Sequence, residues 1–68
     1  MKVKDILKQI TDTMLNINII DDEIDYDYGT FKKDDSKLVY NTKLKNMKIV
    51  SINAQYYDTK RTLILRVK

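Results

Sequence analysis

Residues 16–31, NINIIDDEIDYDYGTF, decide the fold of this chain. Apolar residues alternate there first with asparagines and then with acidic residues, and a period of two is typical of half-buried β-strands. We predict strands over residues 17–21 and 24–32, paired as a hairpin. Phe31 has the same parity in this alternation as the acidic residues Glu23, Asp25 and Asp27. A bulge at Gly29 is therefore needed to return its ring to the apolar face.

The segment before this hairpin has a helical period instead. Apolar residues recur three or four positions apart, at Val3, Ile6, Leu7, Ile10 and Met14. This spacing puts them on one face of an amphipathic helix, with charged residues largely outside it. The pattern predicts a helix over residues 2–14.

The segment after the hairpin begins with a polar loop over residues 32–36. We expect Ser36 to cap a short helical turn that carries Leu38, Val39, Tyr40 and Leu44. A third strand is predicted from Met47. Its alternation places Val50, Ile52, Ala54 and Tyr56 on one face, and Ile49 and Ser51 on the other.

A tight turn at Asp58-Thr59-Lys60 and a fourth strand from Thr62 to Val67 complete the chain. The element order is α-β-β-(short α)-β-β in a single domain of residues 1–68. We therefore predict an α+β fold, in which one N-terminal amphipathic helix packs on a four-stranded, mostly antiparallel sheet.

Composition narrows the chemistry available to the protein. The 68 residues include neither cysteine nor histidine, which leaves no thiolate, no imidazole base and no disulfide framework, and we expect no cofactor. A core this small gives marginal stability, for which oligomerisation is a common remedy. The start lacks a signal-peptide pattern and no apolar run approaches roughly 18 residues, so we expect a cytoplasmic protein without a membrane partner.

Charge is divided between the two halves of the sequence. Residues 1–36 hold five lysines and nine acids, a net charge of −4, whereas residues 37–68 hold eight basic residues and one acid, a net charge of +7. This asymmetry favours either an anionic partner or head-to-tail contacts between copies of the chain.

The acidic stretch of residues 21–27 allows three interpretations. Glu23, Asp25 and Asp27, with Asp34, have the spacing of a calcium loop, but Gly29 stands one position too late and helices do not flank the loop. A weakly binding magnesium site of two or three of these carboxylates is the other metal alternative. The structural interpretation is a solvated strand face or turn whose charges deter edge-to-edge pairing.

Basic and aromatic residues lie together in the second half. The candidate partner-binding or nucleic-acid-binding residues are Lys43, Lys45, Lys48, Tyr56, Tyr57, Lys60, Arg61 and Arg66. Cations contact phosphates and aromatic rings stack on bases, so this combination suits single-stranded nucleic acid, although lysines on a solvated sheet face look the same.

Apolar and aromatic residues exceed what one helix can cover. Tyrosine is enriched at protein interfaces, and we expect Ile49 and Ile64 to point to the sheet face opposite the helix. The predicted oligomer interface comprises Tyr26, Tyr28, Ile49 and Ile64.

Four stretches, MKVKDILKQI, NINIIDD, YGTFKKDDSKLVYNTKLKNMKIVSINA and TLILRVK, together carry a resemblance. The chain resembles small α+β accessory proteins of phages and mobile elements from low-GC Gram-positive bacteria, some of which inhibit host defence, including anti-CRISPR proteins. One anti-CRISPR group is similar in having a tiny strand-rich fold that oligomerises and acts on DNA topology. Membership there implies that Asp21 or Asp22 is the first candidate for function.

These observations favour a binding protein over an enzyme. The leading hypothesis is a homo-oligomer that engages a host-defence protein. The alternatives are a nucleic-acid-binding module and a weak metal-dependent DNA nickase that uses Asp21 and Asp22.

Overall fold

A computed structural model describes residues 1–57 and 60–68, with the backbone only at Tyr57. Within these residues, three helices cover one face of a four-stranded sheet. The helices are α1 (Val3–Gln9), α2 (Ser36–Val39) and α3 (Thr42–Lys45), and the strands are β1 (Asn16–Asp21), β2 (Tyr26–Phe31), β3 (Ile49–Tyr57) and β4 (Lys60–Val67). The predicted α+β class is confirmed. The predicted turn at residues 58–60 falls largely outside the described residues.

The sheet is mixed, with the order β2-β1-β4-β3. β2 pairs antiparallel with β1, and β3 pairs antiparallel with β4, as the two predicted hairpins require. The two hairpins join through parallel pairing of β1 with β4, in which Ile17 is opposite Leu63 and Ile19 is opposite Leu65. The sequence pattern did not predict this central parallel pair.

The core lies between the sheet and the helices. Its buried side chains are Val3 and Leu7 of α1, Leu38 of α2, Leu44 of α3, Phe31 of β2, Ile17 and Ile19 of β1, and Leu65 and Val67 of β4. The strand members alternate along β1 and β4, because only every second side chain faces the helices. Burial of these aliphatic groups is the main favourable contribution to folding.

The predicted bulge at Gly29 is confirmed. Gly29 is opposite Ile19 and Asp27 is opposite Ile20, so Tyr28 is the extra residue in β2. Gly29 has φ = 113°, a conformation that side chains disfavour and glycine adopts freely. The bulge restores the parity of the strand, and Phe31 is buried opposite Ile17.

Helix α1 is shorter than the predicted span of residues 2–14. It ends at Gln9, since Ile10 already has extended backbone, and Met14 is exposed. The Asp12 side chain accepts a hydrogen bond of 2.9 Å from the Met14 backbone N–H. This local turn competes with continued helix and directs the chain into β1.

The segment between the hairpins also differs from its prediction. Two four-residue helices replace one short turn, and Asp35 rather than Ser36 is the N-cap, accepting a hydrogen bond of 2.9 Å from the Lys37 backbone N–H. Asn41 caps α3 in the same way, with its side chain accepting from the Leu44 N–H at 3.0 Å. Each cap satisfies a backbone donor that the first turn of a helix leaves free.

Candidate functional site

The acidic stretch builds the turn between β1 and β2. Asp21 Oδ1 accepts hydrogen bonds from the backbone N–H groups of Glu23 (2.9 Å) and Ile24 (3.3 Å), while its Oδ2 accepts from the Tyr28 hydroxyl at 3.1 Å. Asp27 Oδ1 accepts from the Asn18 side chain and the Gly29 backbone N–H, both at 2.8 Å. These two carboxylates therefore shape the hairpin that they border.

Arg66 of β4 forms ion pairs with two carboxylates of this turn. Its Nε lies 2.8 Å from Asp22 Oδ1, and its Nη2 forms an ion pair with Asp25. A hydrogen bond with Asp22 is the largest cause that raises the pKa of the Arg66 guanidinium, and a hydrogen bond with Asp25 is the next. Arg66, a candidate for nucleic-acid binding, is thus engaged within the protein.

The metal and catalytic candidates lie in this same turn. In the part of the chain that the structure describes, no group of three acidic side chains is arranged to hold a metal ion. Asp21 and Asp22, the candidates for catalysis, have the hydrogen-bonding and ion-pairing roles given above. These contacts explain the density of carboxylates here as turn chemistry.

The other basic candidates do not form one surface. Lys43 and Lys45 lie in α3, Lys48 precedes β3, and Lys60 and Arg61 begin β4. The last two are separated from Lys48 by the length of the hairpin, about 25 Å at the usual rise per residue. Arg61 Nη2 lies 3.2 Å from Asp12 Oδ2. Tyr56 is exposed, and the side chain of Tyr57 lies outside the described residues.

Two members of the predicted oligomer interface, Ile49 and Tyr28, are partly buried and pack against the core. Ile49 is opposite Val67 and packs against the core, because a register shift after Ile49 places the extra residue Val50 in β3. The prediction that Ile49 points to the second sheet face is therefore wrong. Tyr28 also packs against the core, and its ring meets Tyr26 edge to face at 5.0 Å.

The second sheet face is more polar than predicted. Ile64 does lie there, half-buried, since Leu63 and Leu65 on either side of it face the helices. Its neighbours are mostly polar: Asn18 is opposite Ile64 in β1, and Asn53 is opposite it in β3. The second face therefore carries Ile64 without Ile49, and not the apolar pair that the sequence predicts.

A different apolar surface lies along β3. Val50, Ile52 and Tyr56 are 48%, 47% and 73% exposed. β3 is the last strand in the sheet order, and residues 49–57, IVSINAQYY, contain no charged residue, proline or glycine. Long edge strands without charges expose backbone groups that can pair with another chain.

The N-terminus covers the beginning of this edge. The Ile49 backbone N–H donates to Met1 O at 2.9 Å, and Lys2 forms an isolated antiparallel bridge with Lys48. Beyond the register shift, residues 51–57 pair regularly with β4. We call these seven residues the free β3 edge.

A cleft lined by lysines lies on the helix side of the molecule. Its volume is about 450 Å³, and we call it the lysine cleft. It is lined by Lys4, Leu7 and Lys8 of α1, Lys33 and Asp34 of the loop after β2, Val39 of α2 and Lys45 of α3. Four cations and one carboxylate therefore surround an apolar floor of leucine and valine.

Of the four lysines in this cleft, only Lys45 is among the binding candidates that the sequence indicates. The sequence alone places Lys4 and Lys8 among the charged residues on the solvated side of α1, and Lys33 in a polar loop. The i, i+4 spacing of Lys4 and Lys8 places both on one side of helix α1, but residues from three other segments complete the cleft. Only the packing of those segments brings the four lysines together.

Comparison with known proteins finds no match: no protein family, no characterised protein and no solved structure corresponds to this chain. In the described residues, no helix has the length and apolar character needed to cross a membrane.

Proposed function

We propose that the protein is a self-associating binding protein in which two copies join their free β3 edges in one continuous sheet. The observation that carries the proposal is an exposed edge of seven uncharged residues with regular pairing on its inner side. Pairing of edge strands satisfies backbone groups on both chains, and it extends the sheet without a rearrangement of either copy.

The two-fold symmetry of a dimer selects the register. An antiparallel self-pairing that overlaps residues 51–57 fully has its axis at Ala54, the middle residue. Ile52 of each copy is then opposite Tyr56 of the other, on the face that carries Leu65. Pairs of aromatic and β-branched side chains across strands contribute roughly 0.2–1 kcal/mol each, and the small Ala54 side chain permits close approach at the axis.

The opposite edge of the sheet is a poorer candidate. β2 has six residues, a bulge at Tyr28 and a charged Asp27. Short length, bulges and charges are features that prevent edge pairing. The contrast supports β3 as the edge that joins copies.

Introduction of a charge at the two-fold axis tests the dimer. Wild type is expected to show twice the 8.1 kDa chain mass by light scattering and sedimentation. Ala54→Lys and Ala54→Glu each place two like charges opposite one another, so each variant alone is expected to weaken association at least tenfold. An equimolar mixture is expected to restore it, because Lys then faces Glu.

The matched control is Thr30→Lys, which puts the same charge on an exposed position of the other edge strand. It is expected to leave association unchanged. A wild-type chain that stays monomeric at all concentrations contradicts the proposal. So does loss of association on Thr30→Lys with retention on Ala54→Lys, since β2 is then the interface.

We further propose that this protein binds a component of host defence as its target. The absence of cysteine and histidine and the resemblance to accessory proteins of mobile elements support an inhibitor that acts by binding. Phage plating on cells with active CRISPR immunity is expected to rise when wild type is expressed, and to rise less with Ala54→Lys. Equal plating with wild type and with an empty vector contradicts this part of the proposal.

A further inference from the structure

We infer that the lysine cleft binds a small phosphorylated ligand with an apolar body. None of the residues that line the cleft belongs to β3, so this site is separate from the proposed dimer edge. Four cations converge on this cleft, two of them are held by backbone carbonyls, and its floor is apolar.

The cations of α1 repel one another without a ligand. Lys4 and Lys8 are one helical turn apart, about 6 Å along the axis, a spacing at which like charges destabilise a helix. Within the described residues, no ion pair joins either lysine to a carboxylate. Asp5, between them in sequence, is occupied at the helix start, where it accepts a hydrogen bond of 2.9 Å from the Lys2 backbone N–H.

The other two lysines are held toward the cleft by backbone carbonyls. Lys33 Nζ donates to the carbonyl oxygen of Ile10, and Lys45 Nζ donates to that of Val39 at 3.0 Å. An ammonium group has three donors, so each of these contacts leaves two for a ligand. These tethers reduce the side-chain entropy that binding would otherwise cost.

The second basic cleft differs in that one of its cations is already paired with a carboxylate. It is lined by Lys32, Lys60, Arg61 and Asp12, among others. Its Arg61 is ion-paired with Asp12, and its Lys32 Nζ lies 2.6 Å from Asn16 Oδ1 and 2.9 Å from Met14 O. A cation already paired with a carboxylate gains less from an added anion. Within the described residues no ion pair joins the four lysines of the lysine cleft to a carboxylate, so the lysine cleft is the stronger site.

Size and composition define the ligand. The volume of about 450 Å³ lies in the range of small-molecule sites, roughly 300–1,000 Å³. Lysine ammonium groups are common ligands of phosphate as point charges. Leu7 and Val39 form a floor on which an apolar or aromatic group can lie. A ligand with two or more phosphate charges and a flat body fits both parts.

Three probes separate these contributions. We would titrate the full chain with pyrophosphate, ADP and adenosine, and follow backbone amide shifts and heats of binding. ADP is expected to bind at least threefold more tightly than pyrophosphate, with the largest shifts at residues of the lysine cleft. Adenosine is expected to bind at least tenfold more weakly than ADP, because it lacks the charges.

Charge-matched variants locate the site. Lys4→Gln with Lys8→Gln is expected to weaken ADP binding at least tenfold. Lys37→Gln with Lys68→Gln removes the same charge from exposed positions outside the cleft and is expected to change binding less than twofold. Circular dichroism and thermal melting verify that both double variants fold, and Ala54→Lys is expected to retain ADP binding even where dimerisation is lost.

Several results overturn the inference. These are saturation by neither ADP nor pyrophosphate at millimolar concentration, equal weakening by the two double variants, and shifts centred away from the lysine cleft. A decathymidine that binds where ADP does not shows an extended nucleic-acid surface instead. Equal affinity for pyrophosphate and ADP overturns the apolar part of the proposed ligand.

Discussion

Replacement of Gly29 by alanine tests the bulge on which the register of β2 depends. The site has room for a methyl group, since a Cβ there would lie 3.7 Å from Phe31 Cζ, an ordinary contact. The cost is therefore conformational, because φ = 113° is unfavourable for alanine by about 1–3 kcal/mol. A 68-residue domain has a total stability of roughly 3–10 kcal/mol, so this is a large fraction.

The sign of the effect distinguishes the bulge from a regular strand. A glycine in ordinary extended backbone is less favourable than alanine, and its replacement would stabilise the protein by about 0.5–1 kcal/mol. With the bulge, we expect a lower free energy of unfolding in urea and a melting temperature lower by roughly 5–20 °C.

The control is Thr30→Ser, at the next, exposed position of β2, which is expected to change stability by less than about 0.5 kcal/mol. Gly29→Ala with unchanged or increased stability would refute the reasoning, because a strand without the positive φ would then fit the data. A slope of unfolding against urea equal to that of wild type confirms that the two proteins unfold from equally compact states.

Three further outcomes follow from the packing and the charges. Leu38→Ala is expected to cost about 2–5 kcal/mol in urea unfolding, since this side chain is fully buried, against less than about 1 kcal/mol for the exposed Val39→Ala. Arg66→Gln is expected to cost up to about 1 kcal/mol at low salt, because its ion pairs are partly exposed, and the difference should shrink in 1 M salt. A hydrogen bond from the Lys2 backbone, with the nearby lysine charges, lowers the pKa of Asp5 in the folded state. Asp5 therefore contributes stability at pH values above its pKa in the unfolded chain, and this contribution is lost as the pH falls through its pKa in the folded state. Between pH 6 and pH 3, the Asp5→Asn variant is expected to lose less of its free energy of unfolding in urea than wild type does.

The contribution of Tyr28 to folding stability depends on pH with the opposite sign to that of Asp5, and it can be followed in the wild-type protein. Partial burial and the hydrogen bond to Asp21 raise its pKa. A tyrosine with a raised pKa in the folded state favours folding below its unfolded pKa, and that contribution disappears as the pH rises through the folded pKa. This agrees with its place between the core and the turn, rather than on a free interface.

Local periodicity accounts for most of the elements that the sequence predicted. The alternation in residues 16–31 fixed the first hairpin, and the parity of Phe31 located the bulge, because a strand can present only alternate side chains to a core. Leu63, Leu65 and Val67 of β4 face the helices for the same reason. The start of α1 followed from its helical spacing, whereas its end did not, since the Asp12 turn overrides the spacing of Met14.

The candidate sites were less predictable, because they are built from contacts between distant segments. Arg66 looked like a free cation, yet its partners Asp22 and Asp25 lie more than 40 residues earlier in the chain. Ile49 changed face because of one extra residue at Val50, which alternation alone does not show.

The sequence by itself determined an α+β chain with two hairpins, a helix-facing apolar layer and chemistry without thiol or imidazole, because these follow from residue types and from periods within one segment. Only the tertiary structure decided that β1 and β4 pair in parallel, which leaves β3 at an edge. It also decided that lysines from α1, α3 and the loop after β2 surround one cleft. Contacts between segments far apart in the chain leave no period in the sequence, and so neither surface was visible there.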